Sequence, residues 1–164
     1  MFPVLLRLCP TPEALARADR RKVGRLVAPI GLPARVKTLK EVGRMLVREF
    51  AGRVPDTRPA LLELPGIGPY AAGAIMAIGF QKSAPMVDGS IGRLLRRVGG
   101  IDGNGKAPYY DKRVWELAER LLPASGVREY QLALLDVAAL HCRPTKPLCS
   151  TCPLENICSY ARSA

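Results

Sequence analysis

Leu64-Pro65-Gly66-Ile67-Gly68-Pro69-Tyr70, running on as Ala71-Ala72-Gly73-Ala74-Ile75-Met76-Ala77-Ile78, decides how this chain folds. Upstream, Thr57-Arg58-Pro59-Ala60-Leu61-Leu62-Glu63 predicts a short helix, with Thr57 as its cap and Pro59 in the first turn, where a missing N–H costs nothing. Gly66 and Gly68 can take positive φ and leave the turn without Cβ atoms, and Pro69 presets the first turn of a second helix. The product is helix, tight turn, helix, with bare amides at a helix N-terminus where a phosphate can approach. A helix–helix corner with no ligand is the plainer alternative, because glycine-rich turns are common.

Downstream, Pro85-Met86-Val87-Asp88-Gly89-Ser90-Ile91 sets a single carboxylate just ahead of an apolar, Arg-bearing helix from Ile91 to Val98. Breaking an N-glycosidic bond requires a nucleotide taken out of the duplex and a carboxylate facing the positive charge that grows on the deoxyribose. Asp88 is the candidate for that role, and a plain N-cap is its structural alternative. The two roles are compatible.

Size and charge agree with a polyanionic partner. The 164 residues suit one domain or two small lobes, 48% hydrophobic content suffices for a core, and Lys+Arg 25 against Asp+Glu 14 gives +11. Aromatics are 5%, too few for an extended base-stacking platform. No segment reaches the ~18 apolar residues of a spanning helix, and none reads as a cleavable signal, so no membrane role and a cytoplasmic, nucleoid-associated location are expected.

Helix spacing recurs along the chain. Thr11-Pro12-Glu13 opens a short helix. Arg20 to Val27 forms another, stopped by Pro29 and Gly31, and Ala34 to Phe50 places Val36, Leu39, Val42, Leu46, Val47 and Phe50 on one stripe. Tyr70 to Ile78 is apolar and small-residue-rich enough for a central buried helix ending at Gly79. Pro108 to Leu122 and Glu129 to His141 complete the set. No strand pattern of useful length occurs, so the predicted class is all-α: a helical bundle with residues 11–106 as a helical domain holding the hairpin (57–79) and Asp88, and residues 107–164 as C-terminal helices and a cysteine loop.

Cys142, Cys149, Cys152 and Cys158 form C-x6-C-x2-C-x5-C at the end of the last long helix. Four thiolates are the ligand set of a [4Fe–4S] cluster or a structural zinc. A zinc ribbon normally brings two C-x2-C pairs, and only one is present. Disulfides are the remaining alternative, disfavoured in a reducing compartment. Cys9 reads as an ordinary small core residue.

LPG-hydrophobic-G at Leu64 to Gly68, followed about twenty residues later by Val87-Asp88, resembles the helix-hairpin-helix (HhH-GPD) DNA glycosylase superfamily. The likeness runs from about Thr11 to Tyr160, and the cysteine spacing looks like that of the superfamily's iron–sulfur members. The resemblance implies a [4Fe–4S] cluster on the four cysteines that does not perform base removal. It also implies DNA contacts at Gly66, Ile67 and Gly68 and at Arg143 and Lys146 in the first inter-cysteine loop. The expected partner is double-stranded DNA bearing a mispaired or damaged base, met by a monomer.

Tyr70 sets the subtype. In the endonuclease III branch the residue two places after the second hairpin glycine is a Lys that attacks the sugar as a Schiff-base nucleophile. A phenol cannot form an imine, so the resemblance implies a monofunctional glycosylase, similar to MutY-type adenine glycosylases and archaeal G/T mismatch thymine glycosylases, with Asp88 and Tyr70 as catalytic residues. A buried core aromatic is the plainer reading of Tyr70.

The superfamily's N-terminal segment, which in adenine glycosylases holds a second catalytic Glu, is expected to be missing from a chain that starts at Met1-Phe2-Pro3. The extra C-terminal domain by which adenine glycosylases recognise oxidised guanine is also not matched. The resulting expectation is removal of thymine or uracil opposite G. Adenine opposite G or 8-oxoguanine is the alternative base, and a catalytically incomplete DNA-binding module is the alternative class.

Overall fold

The computed structural model describes residues 2–30 and 35–163. All regular structure among them is helical, as expected. The chain divides into two compact units, residues 1–68 and 69–164, with the division inside the helix–turn–helix. The expected boundary at 106/107 instead lies within the second unit, because the helices on either side of it share one core.

The first unit holds α1 (Phe2–Leu8), α2 (Pro12–Arg17), α3 (Arg20–Val27), α4 (Arg35–Glu49) and α5 (Arg58–Glu63). α1 carried no cap signal in the sequence. Thr11 caps α2 as predicted, its Oγ1 accepting from Ala14 N at 3.2 Å, and Asp19 caps α3 by accepting from Lys22 N at 2.8 Å. Gly31 as helix stop and Ala34 as helix start lie outside the described residues. Cys9, Val23, Val27 and Val36 form the core, so the odd cysteine is the core residue expected of it.

α4 departs from its predicted stripe. Val47 is exposed, and the buried position is Gly43, where a Cβ would stand 2.9 Å from the Pro12 carbonyl oxygen. Only a bare Cα lets α2 cross so closely. Thr57 holds the cap position of α5 but its side chain makes no capping bond.

The second unit holds α6 (Pro69–Ala74), α7 (Gly89–Gly99), α8 (Lys112–Arg120), α9 (Val127–Leu140) and α10 (Ser159–Ser163). α6 continues through Ile75–Gly79 as a single wide π-turn, closed by Phe80 N donating to Ile75 O at 3.1 Å. Such turns insert one residue into a helix and are frequent at functional sites. Ala72, Gly73 and Ala77 are buried, whereas Tyr70 and Phe80 are each 38% exposed, so the segment is only partly the buried helix expected.

α7 is central. Its apolar side contributes Ile91 and Leu95 to a core with Met86, Val87, Val114 and Ala118, and Leu94 to a second cluster with Ala138 and Cys142. Gly100, at φ +61°, ends it in the left-handed conformation that glycine adopts freely. The predicted helix from Pro108 to Leu122 is divided: Pro108–Tyr110 is a tight 3₁₀ turn, Asp111 caps the following residues, and α8 starts at Lys112. The Asp111 carboxylate accepting from Arg113 N at 3.1 Å is what starts the helix there. No helix among the described residues is long and apolar enough to cross a membrane.

Candidate active site and cysteine loop

The turn between α5 and α6 places its two glycines differently. Gly66 adopts φ +75°, and a Cβ on it would stand 2.8 Å from Thr38 Cγ2. Gly68 keeps an ordinary negative φ, contrary to expectation, and a Cβ on it would meet nothing within 4 Å. Ile67 N donates to Leu64 O at 3.1 Å, while the amides of Gly66 and Gly68 donate to no backbone carbonyl among the described residues. Both glycines are exposed. An anion approaching from solvent thus finds two free N–H groups and no side chain on Gly68.

Asp88 is the N-cap of α7. Its Oδ1 accepts three hydrogen bonds, from Ser90 N at 2.8 Å, Ile91 N at 2.7 Å and Ser90 Oγ at 2.7 Å. Oδ2 accepts none among the described residues. One oxygen anchors the side chain and the other is left to face solvent or a ligand. The cap reading is therefore observed, and it leaves the second role open.

The residues leading into Asp88 are held from both sides. A Cβ on Gly73 of α6 would stand 2.1 Å from the Pro85 carbonyl oxygen, so that helix rests directly on the 85–86 backbone. From α9, the buried Gln131 Nε2 donates to Ala84 O at 2.8 Å. These contacts fix residues 84–87, which are buried without a regular hydrogen-bonding partner strand.

Tyr70, in the first turn of α6, is half-buried rather than a core aromatic. Burial pushes its phenol pKa up, and the negative charge of Asp88 pushes it the same way. The phenol stays protonated at neutral pH and can only donate toward an anion or accept from water. That electrostatic effect ties the two predicted catalytic residues to one locality in the second unit.

The four cysteines of the tail line one cavity with Leu94, Arg97 and other residues of α7, α9 and the loop. All are free thiols, so the disulfide alternative does not hold. Burial raises the Cys149 pKa, and the charges of Cys158, Cys152 and Cys142 raise it further, with Arg97 opposing. Four thiolates crowded in this way can all stay ionised only around a cationic centre, so the donor set fits a metal group. Among the described residues no three His, Cys, Asp or Glu side chains converge on a point where one ion would sit.

Two arginines of α7, spaced four apart on one helix face, secure the start of this loop. Arg93 donates to Cys142 O at 2.9 Å and Ala138 O at 3.1 Å, satisfying carbonyls at the end of α9. Arg97 donates to Cys142 Sγ at 3.4 Å, to Arg143 O at 2.6 Å and to Pro144 O at 3.0 Å, and its guanidinium lies 4.9 Å from the Tyr160 ring centre. Sequence reading noted α7 as Arg-bearing and missed these roles. The i, i+4 spacing was the available signal. Gln131 was missed too, although a lone amide inside the Leu-rich α9 marks a buried polar role.

Arg143 and Lys146 are both exposed in that loop. Arg143 Nε reaches back to Leu140 O at 3.3 Å. Lys146 has φ +49°, a left-handed conformation that a side-chain-bearing residue adopts only under constraint.

Comparison with known proteins agrees with this geometry. The profile of the HhH-GPD superfamily base excision DNA repair proteins matches residues 1–136. A thymine/uracil-DNA glycosylase of Methanothermobacter thermautotrophicus is 38% identical over 150 residues, spanning 90% of this chain and 67% of its own length. A human adenine DNA glycosylase is 36% identical over 150 residues, 91% of this chain but 28% of that protein. The solved structure of a thermostable thymine-DNA glycosylase superposes with a TM-score of 0.91 at 34% identity, covering 99% of this chain and 75% of that one.

Proposed function

This chain belongs to the HhH-GPD superfamily of base excision DNA repair proteins, and we propose that, as a DNA glycosylase, it hydrolyses the N-glycosidic bond of thymine or uracil opposite guanine and leaves the strand uncut. The observation that carries the reading is the Asp88 carboxylate, anchored through Oδ1 and unpartnered at Oδ2. With the target nucleotide extruded, Oδ2 faces the positive charge developing at the anomeric carbon and orients the attacking water. Tyr70, protonated, supplies hydrogen bonding beside it and no amine for a Schiff base.

The exposed amides of Gly66 and Gly68 are proposed to hold a phosphate of the same strand. Arg143 and Lys146 are proposed to add backbone contacts that position without reading sequence. Thymine or uracil is preferred to adenine because the thymine/uracil relative is matched over 67% of its length and the adenine enzyme over 28%.

Cys142, Cys149, Cys152 and Cys158 would hold a [4Fe–4S] cluster, with Arg97 donating to the first of them. When bound, that group supplies positive charge to four thiolates and fixes the loop. Base removal is left to Asp88.

The test is incubation of the full chain with duplexes bearing G·T, G·U, A·G or A·8-oxoguanine, followed by alkali. Strand breaks with G·T and G·U only after alkali are expected. Breaks only with the adenine duplexes would move the substrate. Breaks before alkali would refute the monofunctional assignment, and salt-sensitive binding with no breaks in any duplex would leave a DNA-binding module.

A further inference from the structure

Tyr109 and Tyr110 stand at the surface of the second unit, 41% and 72% exposed, with ring centres 4.5 Å apart and planes tilted by 55°. Two large rings left in water side by side are unusual in a chain so poor in aromatics, and their mount is rigid. The turn beneath them closes through Tyr110 N to Ala107 O at 2.9 Å and Asp111 N to Pro108 O at 3.1 Å. Trp115 Nε1 donates to Tyr109 O at 3.0 Å. A Cβ on Gly92 would stand 2.5 Å from Pro108 Cβ, so α7 presses directly on the turn. Asp111, buried next to Tyr110, is tied to Arg96 at 3.0 Å and Arg113 at 2.8 Å.

Their position is specific. A Cβ on Gly89 would lie 3.9 Å from Tyr109 Cε1, and Gly89 directly follows Asp88. The aromatic pair therefore flanks the helix start that carries the carboxylate. Two exposed cations, Lys106 and Lys112, bracket it in sequence. Lys112 is matched only by a solvent-exposed partner, Glu116, at 3.3 Å. A short segment that offers ring faces between positive charges suits one occupant, a nucleic-acid strand with a base out of its stack.

We propose that Tyr109 and Tyr110 form a stacking platform for an unstacked nucleobase of the DNA strand whose sugar is presented to Asp88. The inference rests on the reading that a nucleotide leaves the duplex at this site. It makes the pair binding residues for the extruded state, distinct from the glycine turn that holds the phosphate.

The test uses the full chain and a duplex carrying a non-hydrolysable 2′-fluoro-deoxyuridine opposite G, beside the undamaged duplex. Tyr110→Ala is expected to weaken binding to the analogue duplex by about tenfold to a hundredfold, the usual loss of one base–aromatic stack. Binding to undamaged DNA and the melting temperature stay unchanged, and Tyr110→Phe, which keeps the ring face, binds as the wild type does. An Ala variant that binds the analogue as tightly as wild type, or loses affinity equally for both duplexes, overturns the proposal. Base removal by the wild type from a cleavable G·U duplex is scored in parallel. An inactive wild type with Tyr110-dependent binding sinks the glycosylase reading alone, and an active one indifferent to Tyr110 sinks the platform alone.

Discussion

Gly73 and Pro85 are packed so closely that a methyl group on the glycine would stand 2.1 Å from the proline carbonyl oxygen. This contact sets the distance between the helix that carries Tyr70 and the segment that delivers Asp88. Gly73→Ala forces that backbone apart. The expected result is a loss of about 1–3 kcal/mol in stability, as for an overpacked core, with base removal falling further than duplex binding. Denaturant unfolding and single-turnover assays check both, and an alanine variant with wild-type rates would show the spacing to be immaterial.

Asp88→Asn separates the two roles of the residue. Asparagine caps a helix as well as aspartate does, so the melting temperature is expected to hold. The negative charge opposite the sugar is lost, and excision is expected to fall by about 10²–10⁴-fold, the range for removing a positioned acid–base group. Retained excision would assign the chemistry to another carboxylate.

The hairpin glycines predict opposite outcomes. A side chain at Gly68 meets nothing inside the chain, so Gly68→Ala should leave unfolding untouched and weaken duplex binding. Gly66→Ala adds a Cβ at φ +75° against Thr38, and should cost about 1–2 kcal/mol of stability from the left-handed strain alone. Equal effects on folding from both variants would contradict the geometry of the turn.

Asp111 predicts an acid limb. The hydrogen bond from Arg113, reinforced by that from Arg96, holds its carboxyl well below the ordinary range, against the opposing effect of burial. The group therefore contributes stability at every pH above its unfolded value near ~3.9, and that contribution is lost as pH falls through the depressed native value. Asp111→Asn should lower the melting temperature at neutral pH, with the gap to wild type closing in strong acid. A gap that stays constant down the acid limb would exclude this linkage.

Chain purified without oxygen is expected to carry iron and acid-labile sulfide and to show visible absorbance, and Cys149→Ser to lose most of all three. Stoichiometric zinc in place of iron would overturn the cluster assignment. The elemental assay is independent of any excision measurement.

The helices were legible wherever a cap and an apolar period coincided, as at Thr11 and at Asp88. The sequence also showed the hairpin, the acid and the four thiols, because each is a short pattern of unusual residue types. What it hid was tertiary. Gly43 and Gly73 read as ordinary small residues, and only the crossing of a second chain segment shows why a Cβ is excluded. Pro108 looked like the first residue of a long helix because the apolar period continues past it, whereas a buried Asp111 restarts the chain three residues later. Arg93, Arg97 and Gln131 act through carbonyls distant in sequence, which no local period reports.

The wide turn at Ile75–Gly79 holds one residue more than a regular helix would need. Deleting any single residue there would let α6 relax into ordinary winding, and everything beyond it would swing by about 100° around the axis, one residue's share of a 3.6-residue turn. The stretch is thus a length gauge. A lineage can exchange side chains within it, but a one-codon loss should be far more damaging than any point change at the same positions.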